Sequence, residues 1–305
     1  MGRVGRAASL RAMHTAWDAG ITLYDTARSY GYGEAEAVLG EFLSGKRDRA
    51  VVATKFGIEP QRLSPLKRIA IPSVRAAMKI VRPGIRRLRR RESPARQVVG
   101  NFTVEGLRKS LECSLRALKT DYVDILFLHE ASAQSMRDEQ LMRELESLVR
   151  AGKVLRTGLY AAANVAAEAT ANGPEILSAM QFGADPFNPA AAAIAKNKGN
   201  DVILIGNHPF GSERRGARLK AALAAIATNE AAPPVLREKL RETGSQAVLE
   251  VLLGIASQGM GNHALVFSMM QPDHIKANVR AVDSERFSTE ELQLLREQLL
   301  KSSLL

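Results

Sequence analysis

The stretch Leu23-Tyr-Asp-Thr-Ala-Arg-Ser-Tyr-Gly31 places a carboxylate, Asp25, five positions before a phenol, Tyr30, and directly after a short apolar run. The next strand-like run, Ala50 to Thr54, is followed at once by Lys55. A third run, Val123 to Leu128, is followed by His129. Consecutive predicted strands therefore each deliver a polar, chemically active side chain at their carboxyl ends.

The remaining sequence alternates in the same way between apolar strand-like runs and helical patterns, many of them ended by glycine. Strands that are apolar throughout and separated by helices indicate a parallel sheet covered by helices. No Gly-x-Gly-x-x-Gly follows any of the strands, which argues against a doubly wound dinucleotide-binding sheet. Since (β/α)8 barrels gather catalytic groups at the carboxyl ends of their strands, we predict an α/β protein with a TIM-type (β/α)8 barrel.

Composition narrows the class of protein further. The 305 residues are 46% hydrophobic, and we predict one domain over 1–305. No apolar run reaches the ~18 residues that span a bilayer, and the arginines of the first residues are not followed by an apolar run or a cleavage site. The single cysteine, Cys113, excludes an internal disulfide and offers no metal cluster. These observations predict a cytoplasmic protein without a membrane span or a bound metal.

The net charge of +11 comes almost entirely from one segment. Residues 58–96 hold twelve Lys or Arg against Glu59 and Glu92, so the rest of the chain is close to neutral. A basic insert at about 58–100 lacks the interleaved aromatics or recognisable module of a nucleic-acid reader, and we predict no nucleic-acid partner. Its position between Lys55 and the helix near Thr103 leaves three possibilities: a solvated segment, a lid favouring anionic ligands, or a membrane-surface helix.

The four polar residues together suit carbonyl reduction. Hydride delivery to a carbonyl carbon leaves negative charge on the oxygen, which a donor must neutralise as it forms. Tyr30 would protonate that oxygen, although a phenol normally ionises only near pH ~10. Lys55 would lower the pKa of Tyr30, Asp25 would hold Lys55, and His129 would orient the carbonyl by a hydrogen bond. None of the four can store a hydride, which implies a nicotinamide cofactor.

Several stretches resemble the aldo-keto reductase superfamily, strongly as far as residue 160 and more faintly afterwards. They are Gly20-Ile-Thr-Leu-Tyr-Asp-Thr-Ala27 with Tyr30-Gly31, Gly33-Glu-Ala-Glu36, Val52-Ala-Thr-Lys55, Ser110-Leu-Glu-Cys-Ser-Leu-Arg-Ala-Leu118, Asp121-Tyr-Val-Asp-Ile-Leu-Phe-Leu-His129 and Gly152-Lys-Val-Leu-Arg-Thr-Gly158. The resemblance implies a (β/α)8 barrel and NADP(H)-dependent reduction of a small aldehyde or ketone. It carries the family's catalytic tetrad onto Asp25, Tyr30, Lys55 and His129.

The resemblance also implies a cofactor site in the second half of the chain. Gln181 matches a glutamine that binds the nicotinamide carboxamide, and Asn278 matches an asparagine that contacts adenine. The loop of Phe210, Gly211 and Ser212 resembles a pyrophosphate-binding loop, and a segment from Ser268 resembles an adenosine-phosphate segment that includes His274. Since His274 replaces an arginine that suits a 2′-phosphate better, NADPH is expected and NADH is possible.

Three departures from the family pattern lead to further expectations. Tyr160-Ala161 stands where the family places Ser-Asn against the nicotinamide, and Phe182 or Phe187 would have to replace a stacking aromatic. The family's first strand is not matched, so the barrel is expected to lack it, through either an upstream start or a truncation. The alternative to an enzyme is thus a cofactor-binding barrel that acts as a sensor or binding subunit. The sequence leaves the physiological substrate and the oligomeric state open.

Overall fold

The computed structural model describes residues 5–60, 102–184, 187, 194, 201–209, 213–243, 245–260 and 264–302. Within these ranges the backbone forms seven strands. They are β1 (Leu23–Asp25), β2 (Val51–Phe56), β3 (Val123–His129), β4 (Val154–Tyr160), β5 (Leu177–Gly183), β6 (Ile203–Asn207) and β7 (Ala264–Val266). The basic insert, from residue 61 onward, and the loop of Phe210, Gly211 and Ser212 lie outside the described residues.

Helices separate almost all of these strands. They are α1 (Arg6–Asp18), α2 (Ala35–Phe42), α3 (Val104–Leu118), α4 (Ala133–Met136), α5 (Glu139–Arg150), α6 (Ala163–Asn172), α7 (Glu213–Thr228), α8 (Pro234–Thr243), α9 (Ser245–Met260), α10 (Pro272–Val282) and α11 (Thr289–Lys301). Single 3₁₀ turns occur at Tyr30–Gly33 and Arg47–Arg49. Across the described ranges, no helix combines the length and the apolar composition that crossing a membrane requires.

The strands form one sheet in chain order from β1 to β7, and every pairing is parallel. The sheet curls into a nearly closed barrel covered by helices. This confirms the predicted (β/α)8 type and also the prediction that one of its eight strands is absent from the part described. Ala12 and Ala16 of α1 pack against Ile275 of α10. This contact joins the two helices that lie next to the edge strands, β1 and β7.

The core has two layers, because alternate residues of a strand point to opposite faces of the sheet. The larger layer lies between the strands and the helices that cover them; Leu126 and Leu159 belong to it. The smaller layer fills the barrel and contains Ala53, Ile125, Phe127, Ala179 and Ile205. This parity decides which side chains reach the barrel interior at the carboxyl ends of the strands.

Arg47 connects the amino-terminal ends of β2 and β3. Its guanidinium pairs with Asp124 at 2.8 Å, and it donates to the carbonyls of Ala50 and Tyr122 at 2.9 Å each. It also donates to the Thr120 hydroxyl at 3.0 Å and lies 3.8 Å from the centre of the Tyr122 ring. One side chain thus satisfies several polar groups where two barrel strands begin.

Replacement of Arg47 by Met should therefore lower the free energy of unfolding. We expect a loss of about 2–3 kcal/mol, because the variant leaves the half-buried Asp124 carboxylate and two carbonyls without their charged donor. Urea unfolding followed by circular dichroism measures the change. Arg49→Met, in the same turn but exposed and stacked only on Trp17, is the matched control and should cost no more than about 1 kcal/mol. Equal losses in both variants would contradict the role given to Arg47.

Candidate active site

The upper layer of the barrel interior is polar. Asp25 lies two residues beyond Leu23, Lys55 two beyond Ala53, and His129 two beyond Phe127, so each faces the interior like its neighbour. The same parity brings in Tyr160, Gln181 and Asn207 from β4, β5 and β6. Six strands thus contribute polar side chains to one ring at their carboxyl ends, which is where a barrel enzyme carries its active site.

Lys55 and Asp25 form a buried ion pair in this ring. The Lys55 ammonium donates to Asp25 Oδ1 at 2.5 Å and to the carbonyl of Thr26 at 3.0 Å, and its side chain is 0% exposed. Burial lowers the pKa of Lys55, and the carboxylates of Asp25 and Glu36 oppose that effect. The Asp25 carboxylate therefore helps Lys55 to stay protonated, although the Lys55 side chain is buried away from water.

Tyr30 approaches the pair from the 3₁₀ turn after β1. Gly31 and Tyr32 both adopt left-handed backbone (φ 61° and 60°), a conformation that glycine adopts freely but tyrosine does not. The turn holds the Tyr30 ring with its centre 4.9 Å from the Lys55 ammonium and 5.9 Å from the His129 ring centre. With 36% of its surface exposed, Tyr30 faces solvent as well as the site.

Lys55 does not bring the pKa of Tyr30 below its ordinary value in this arrangement. The pKa of Tyr30 is raised, first by burial of the phenol and then by the negative charge of Asp25, with further contributions from Tyr160 and Glu130. Burial of the phenol is the main reason, and the Asp25 carboxylate, which pairs with Lys55 at 2.5 Å, adds to it. Tyr30 therefore stands in its protonated form.

His129 lies between the two aromatic rings of the site. Its ring centre is 5.2 Å from that of Tyr160 as well as 5.9 Å from that of Tyr30. Burial, and then the charge of Lys55, lower the pKa of His129 to about 3. The imidazole is thus neutral at physiological pH. Its buried Nδ1 has no hydrogen-bond partner within the described ranges.

Gln181 shows which group the site can bind. Its side chain is 1% exposed, yet neither its amide oxygen nor its amide nitrogen has a hydrogen-bond partner among the described residues. A buried amide without partners costs free energy that a complementary ligand can recover. The carboxamide of a nicotinamide is complementary, since it offers one donor and one acceptor group to the same amide. The residues present therefore fit that cofactor.

Comparison with known proteins decides the family. The model of the Aldo/keto reductase family matches residues 1–299. The chain belongs to the aldo/keto reductase family. An aryl-alcohol dehydrogenase from Pestalotiopsis microspora is 25% identical over 302 residues, covering 93% of this chain and 71% of that relative. A second relative, from Phanerodontia chrysosporium, is named as an NADP(+) aryl-alcohol dehydrogenase. It is 29% identical over 161 residues, which cover 52% of this chain and only 35% of the relative.

A solved structure supports the fold of this aldo/keto reductase family member. The holo form of an aldo-keto reductase from Bacillus halodurans superimposes with a TM-score of 0.61 at 17% identity, covering 97% of this chain and 88% of that one. At this level of identity the likeness concerns the fold alone.

The structure describes several of the other residues that the resemblance to the family assigns to the cofactor. Ser268 is exposed and follows β7, so it lies on the same rim as the site. His274 and Asn278 stand one turn apart on α10; His274 is exposed, and Asn278 is buried to 8% exposure. Phe182 does not face the site, because it is fully buried in the layer between strands and helices, and Phe187 packs against the cluster formed by the last helices. Phe182 therefore cannot serve as the expected stacking aromatic in this arrangement, and the role of Phe187 stays a prediction.

Two residues of the ring and its rim, Asn207 and Glu130, have no role in the sequence-based prediction. Burial raises the pKa of Tyr160, Glu130 raises it further, and Asn207 lowers it. Asn207 ends β6, and Glu130 directly follows His129. The only signal in the sequence was Tyr160 itself, standing at a position where the family has a small polar residue. Among the described residues, no three His, Cys, Asp or Glu side chains come together as a metal site.

The low pKa of His129 predicts how stability depends on pH. The native state holds His129 neutral, whereas the unfolded chain binds a proton near pH ~6.5, so stability is full above that pH and falls as the pH drops towards 3. The slope should reach about 1.4 kcal/mol per pH unit, measured by urea unfolding at pH 4, 5 and 7. His129→Gln should lose this contribution, whereas His14→Gln, on exposed α1 surface, should keep it. A slope in His129→Gln as steep as that of the wild type would contradict the assignment.

Proposed function

We propose that this protein reduces an aldehyde or a ketone to an alcohol, with NADPH as hydride donor. The observation that carries the proposal is the meeting of protonated Tyr30 with the buried Lys55–Asp25 pair and with neutral His129 at the rim of the barrel. Membership of the aldo/keto reductase family supports the same chemistry. A carbonyl oxygen placed between the Tyr30 hydroxyl and His129 would meet two neutral donors.

Tyr30 is the general acid in this proposal. Its raised pKa keeps the proton on the phenol until the carbonyl oxygen gains negative charge, and only then does transfer become favourable. The bound nicotinamide would supply the hydride that reduces the carbonyl carbon. The phenolate left after proton transfer lies beside the Lys55 ammonium, which stabilises it. Partial exposure of Tyr30 lets solvent return the proton.

His129 and Lys55 have separate tasks. Neutral His129 can donate a hydrogen bond to the carbonyl oxygen and so fix its direction, while its low pKa keeps it from taking the proton that Tyr30 must deliver. Lys55 contributes a fixed positive charge, and Asp25 keeps that charge against burial. The arrangement is preorganised, because the ion pair is in place before any ligand binds.

For the cofactor we propose NADPH, with Gln181 holding the nicotinamide carboxamide. On the resemblance to the family, Ser268 and His274 are assigned to the adenosine phosphate and Asn278 to the adenine. The loop of Phe210, Gly211 and Ser212 is assigned to the pyrophosphate. The relative named for NADP(+) supports the phosphorylated cofactor. His274 in place of an arginine leaves NADH as the competitor to measure, since an imidazole binds a 2′-phosphate less well than a guanidinium does.

The test is a cofactor-consumption screen over aldehydes, ketones and sugars, with NADPH and NADH in parallel. Aromatic aldehydes come first because two relatives are named for aryl alcohols. We expect oxidation of NADPH by at least one aldehyde, at a higher kcat/KM than with NADH. Cofactor binding without turnover for any carbonyl would favour the sensor or binding subunit, for which Tyr160-Ala161 is the specific observation.

A further inference from the structure

Glu36 is a buried carboxylate that has no part in the proposed reaction. It stands in the first turn of α2, and only 4% of its surface is exposed. The hydroxyl of Thr54, which is 0% exposed, donates to Glu36 Oε1 at 2.6 Å. A buried carboxylate is costly unless it is hydrogen-bonded, so this bond helps to keep Glu36 inside the protein. The bond also joins α2 to β2.

On β2, Thr54 directly precedes Lys55. Because alternate residues of a strand point to opposite faces, Thr54 lies on the helix side of the sheet with Val52 and Phe56, whereas Lys55 points into the barrel. Glu36 therefore holds β2 from outside at the residue next to the one that carries the proposed fixed cation.

The other end of this link leads to Tyr30. The 3₁₀ turn Tyr30–Gly33 is separated from α2 by a single residue, Glu34. The amide of Glu34 donates to the carbonyl of Gly31 at 3.3 Å, and the carbonyl of Glu34 accepts from the amide of Val38 at 3.1 Å. The turn thus continues into the helix by hydrogen bonds, and its left-handed backbone must be held in place by the structure around it. A shift of the start of α2 would move Tyr30 as well.

Helix α2 can act as a fixed support because its far end is held elsewhere. A side chain at Gly40 would collide with the carbonyl of Ala117, so the helix lies directly against α3. Movement of α2 is therefore opposed at one end by this packing and at the other end by the bond between Glu36 and Thr54. Loss of the bond would release the end that carries the turn of Tyr30.

A second side-chain link between the same rim segments is weaker. Arg28, in the segment after β1, pairs with Glu59, after β2, at 3.3 Å, but the side chain of Glu59 is 69% exposed. Ion pairs exposed to this degree contribute little. The buried bond from Glu36 is therefore the link expected to set the position of Tyr30.

We propose that Glu36 is a positioning residue for proton transfer, which through Thr54 holds the phenol of Tyr30 beside the ammonium of Lys55. The centre of the Tyr30 ring lies 4.9 Å from that ammonium. A displacement of about 1 Å in a reacting group can cost roughly 10²-fold in rate. Glu36 acts only through these residues, since it lies on the helix side of the sheet. This inference rests on the proposed carbonyl reduction and adds to it the residue that aligns the general acid with its cation.

The first test replaces Thr54, measuring kcat and KM with the best aldehyde of the screen and the Kd of NADPH. Thr54→Val keeps the shape of the side chain and removes the donor, so kcat should fall by about 10–100-fold. KM and Kd should stay within about twofold, because an interaction that serves only the transition state is lost. Thr54→Ser restores a hydroxyl and should bring kcat back to within about threefold of the wild type.

The second test replaces Glu36 and serves also if Thr54→Val folds poorly. Glu36→Gln keeps an oxygen that can accept from Thr54 and removes the charge, so it should retain most of kcat. Glu36→Leu removes the acceptor and should lower kcat as much as Thr54→Val does. An equal loss of kcat in Glu36→Gln and Glu36→Leu would assign the effect to the charge and overturn the positioning role.

Ser114→Ala is the matched control. Burial raises the pKa of Glu36, and both Thr54 and Ser114 lower it. Ser114 is buried like Thr54, but it belongs to α3, which carries no residue of the proposed reaction. Its replacement should lower the melting temperature about as much as Thr54→Val does and leave kcat within about threefold of the wild type.

Crystal structures of the wild type and Thr54→Val give a measurement that needs no turnover. The distance from the Tyr30 ring to the Lys55 ammonium should grow by about 1 Å in the variant. An unchanged distance, or a kcat of Thr54→Val equal to that of Ser114→Ala, overturns the inference and leaves the proposed function intact. A folded wild type that reduces no carbonyl overturns the proposed function, whereas the two crystal structures still decide whether the bond from Glu36 places Tyr30.

Discussion

Replacement of Tyr30 by Phe is expected to lower kcat/KM for carbonyl reduction by roughly 10²–10⁴-fold, the range that general acid catalysis supplies. The substitution removes one hydroxyl and keeps the ring between Lys55 and His129, so the packing of the rim should persist. Because only the proton donor is lost, the Kd of NADPH should stay within about twofold of the wild-type value. Steady-state kinetics with the best aldehyde of the screen and calorimetry with NADPH measure the two quantities.

The control for this variant lies two residues away. Tyr32 is on the same 3₁₀ turn and is 37% exposed, nearly as much as Tyr30, but it does not belong to the ring of polar side chains. Tyr32→Phe should retain kcat/KM within about threefold, since surface substitutions away from a site usually have small effects. If Tyr30→Phe turns over as fast as Tyr32→Phe, another group donates the proton, and Tyr160 is the next phenol to replace.

The strand ends could be predicted from the sequence because the relevant signals are local. Apolar runs followed at once by Asp25, Lys55 and His129 locate each residue on its own strand without any knowledge of the neighbours. Parallel strands that pair in chain order then bring these ends to one rim, as the register of β1, β2 and β3 does. The capping of α3 is equally local: the Thr103 side chain accepts a hydrogen bond from the amide of Gly106.

The residues that act on the Tyr160 phenol could not be predicted in this way, since they depend on which side chains meet across the barrel. Glu130 and Asn207 are separated by 77 positions, and only the curvature of the sheet brings both to one phenol. Phe182 illustrates the same limit: its residue type suited a stacking role, but parity within β5 turns it towards the helices. The raised pKa of Tyr30 likewise depends on burial and on the Asp25–Lys55 distance, which a sequence does not contain.

Helix α8 shows how a local signal can also mislead. Two consecutive prolines, at 233 and 234, are typical of a turn or loop, yet α8 begins at Pro234. Proline is well suited to the first position of a helix, because the amide hydrogen that it lacks would have no partner inside the helix. The sparse apolar residues Leu236 and Leu240 then pack into the cluster formed by the last helices.

The second large effect is expected from variants of the Lys55–Asp25 ion pair. Their order of stability should differ from their order of activity. Asp25→Asn leaves the fully buried Lys55 ammonium without its counter-charge, which should cost about 3–5 kcal/mol of unfolding free energy at pH 7. Lys55→Met removes the cation, and the double variant removes both charges. The double variant should therefore be more stable than Asp25→Asn alone, while all three lose most of their carbonyl reduction.

The pH dependence of Asp25→Asn identifies the cause. Burial already lowers the pKa of Lys55, and loss of Asp25 removes the largest effect that opposes it. The unfolded chain then binds the lysine proton more strongly than the native state does, so the stability of Asp25→Asn should rise with pH until the unfolded lysine loses its proton near pH ~10. Urea unfolding between pH 6 and 9 measures this, and Asp25→Asn/Lys55→Met, which has no buried lysine, should lose that rise. If instead both variants are equally stable at every pH, Asp25 does not maintain the charge of Lys55. The ion pair would then not explain a positive charge beside the Tyr30 phenolate.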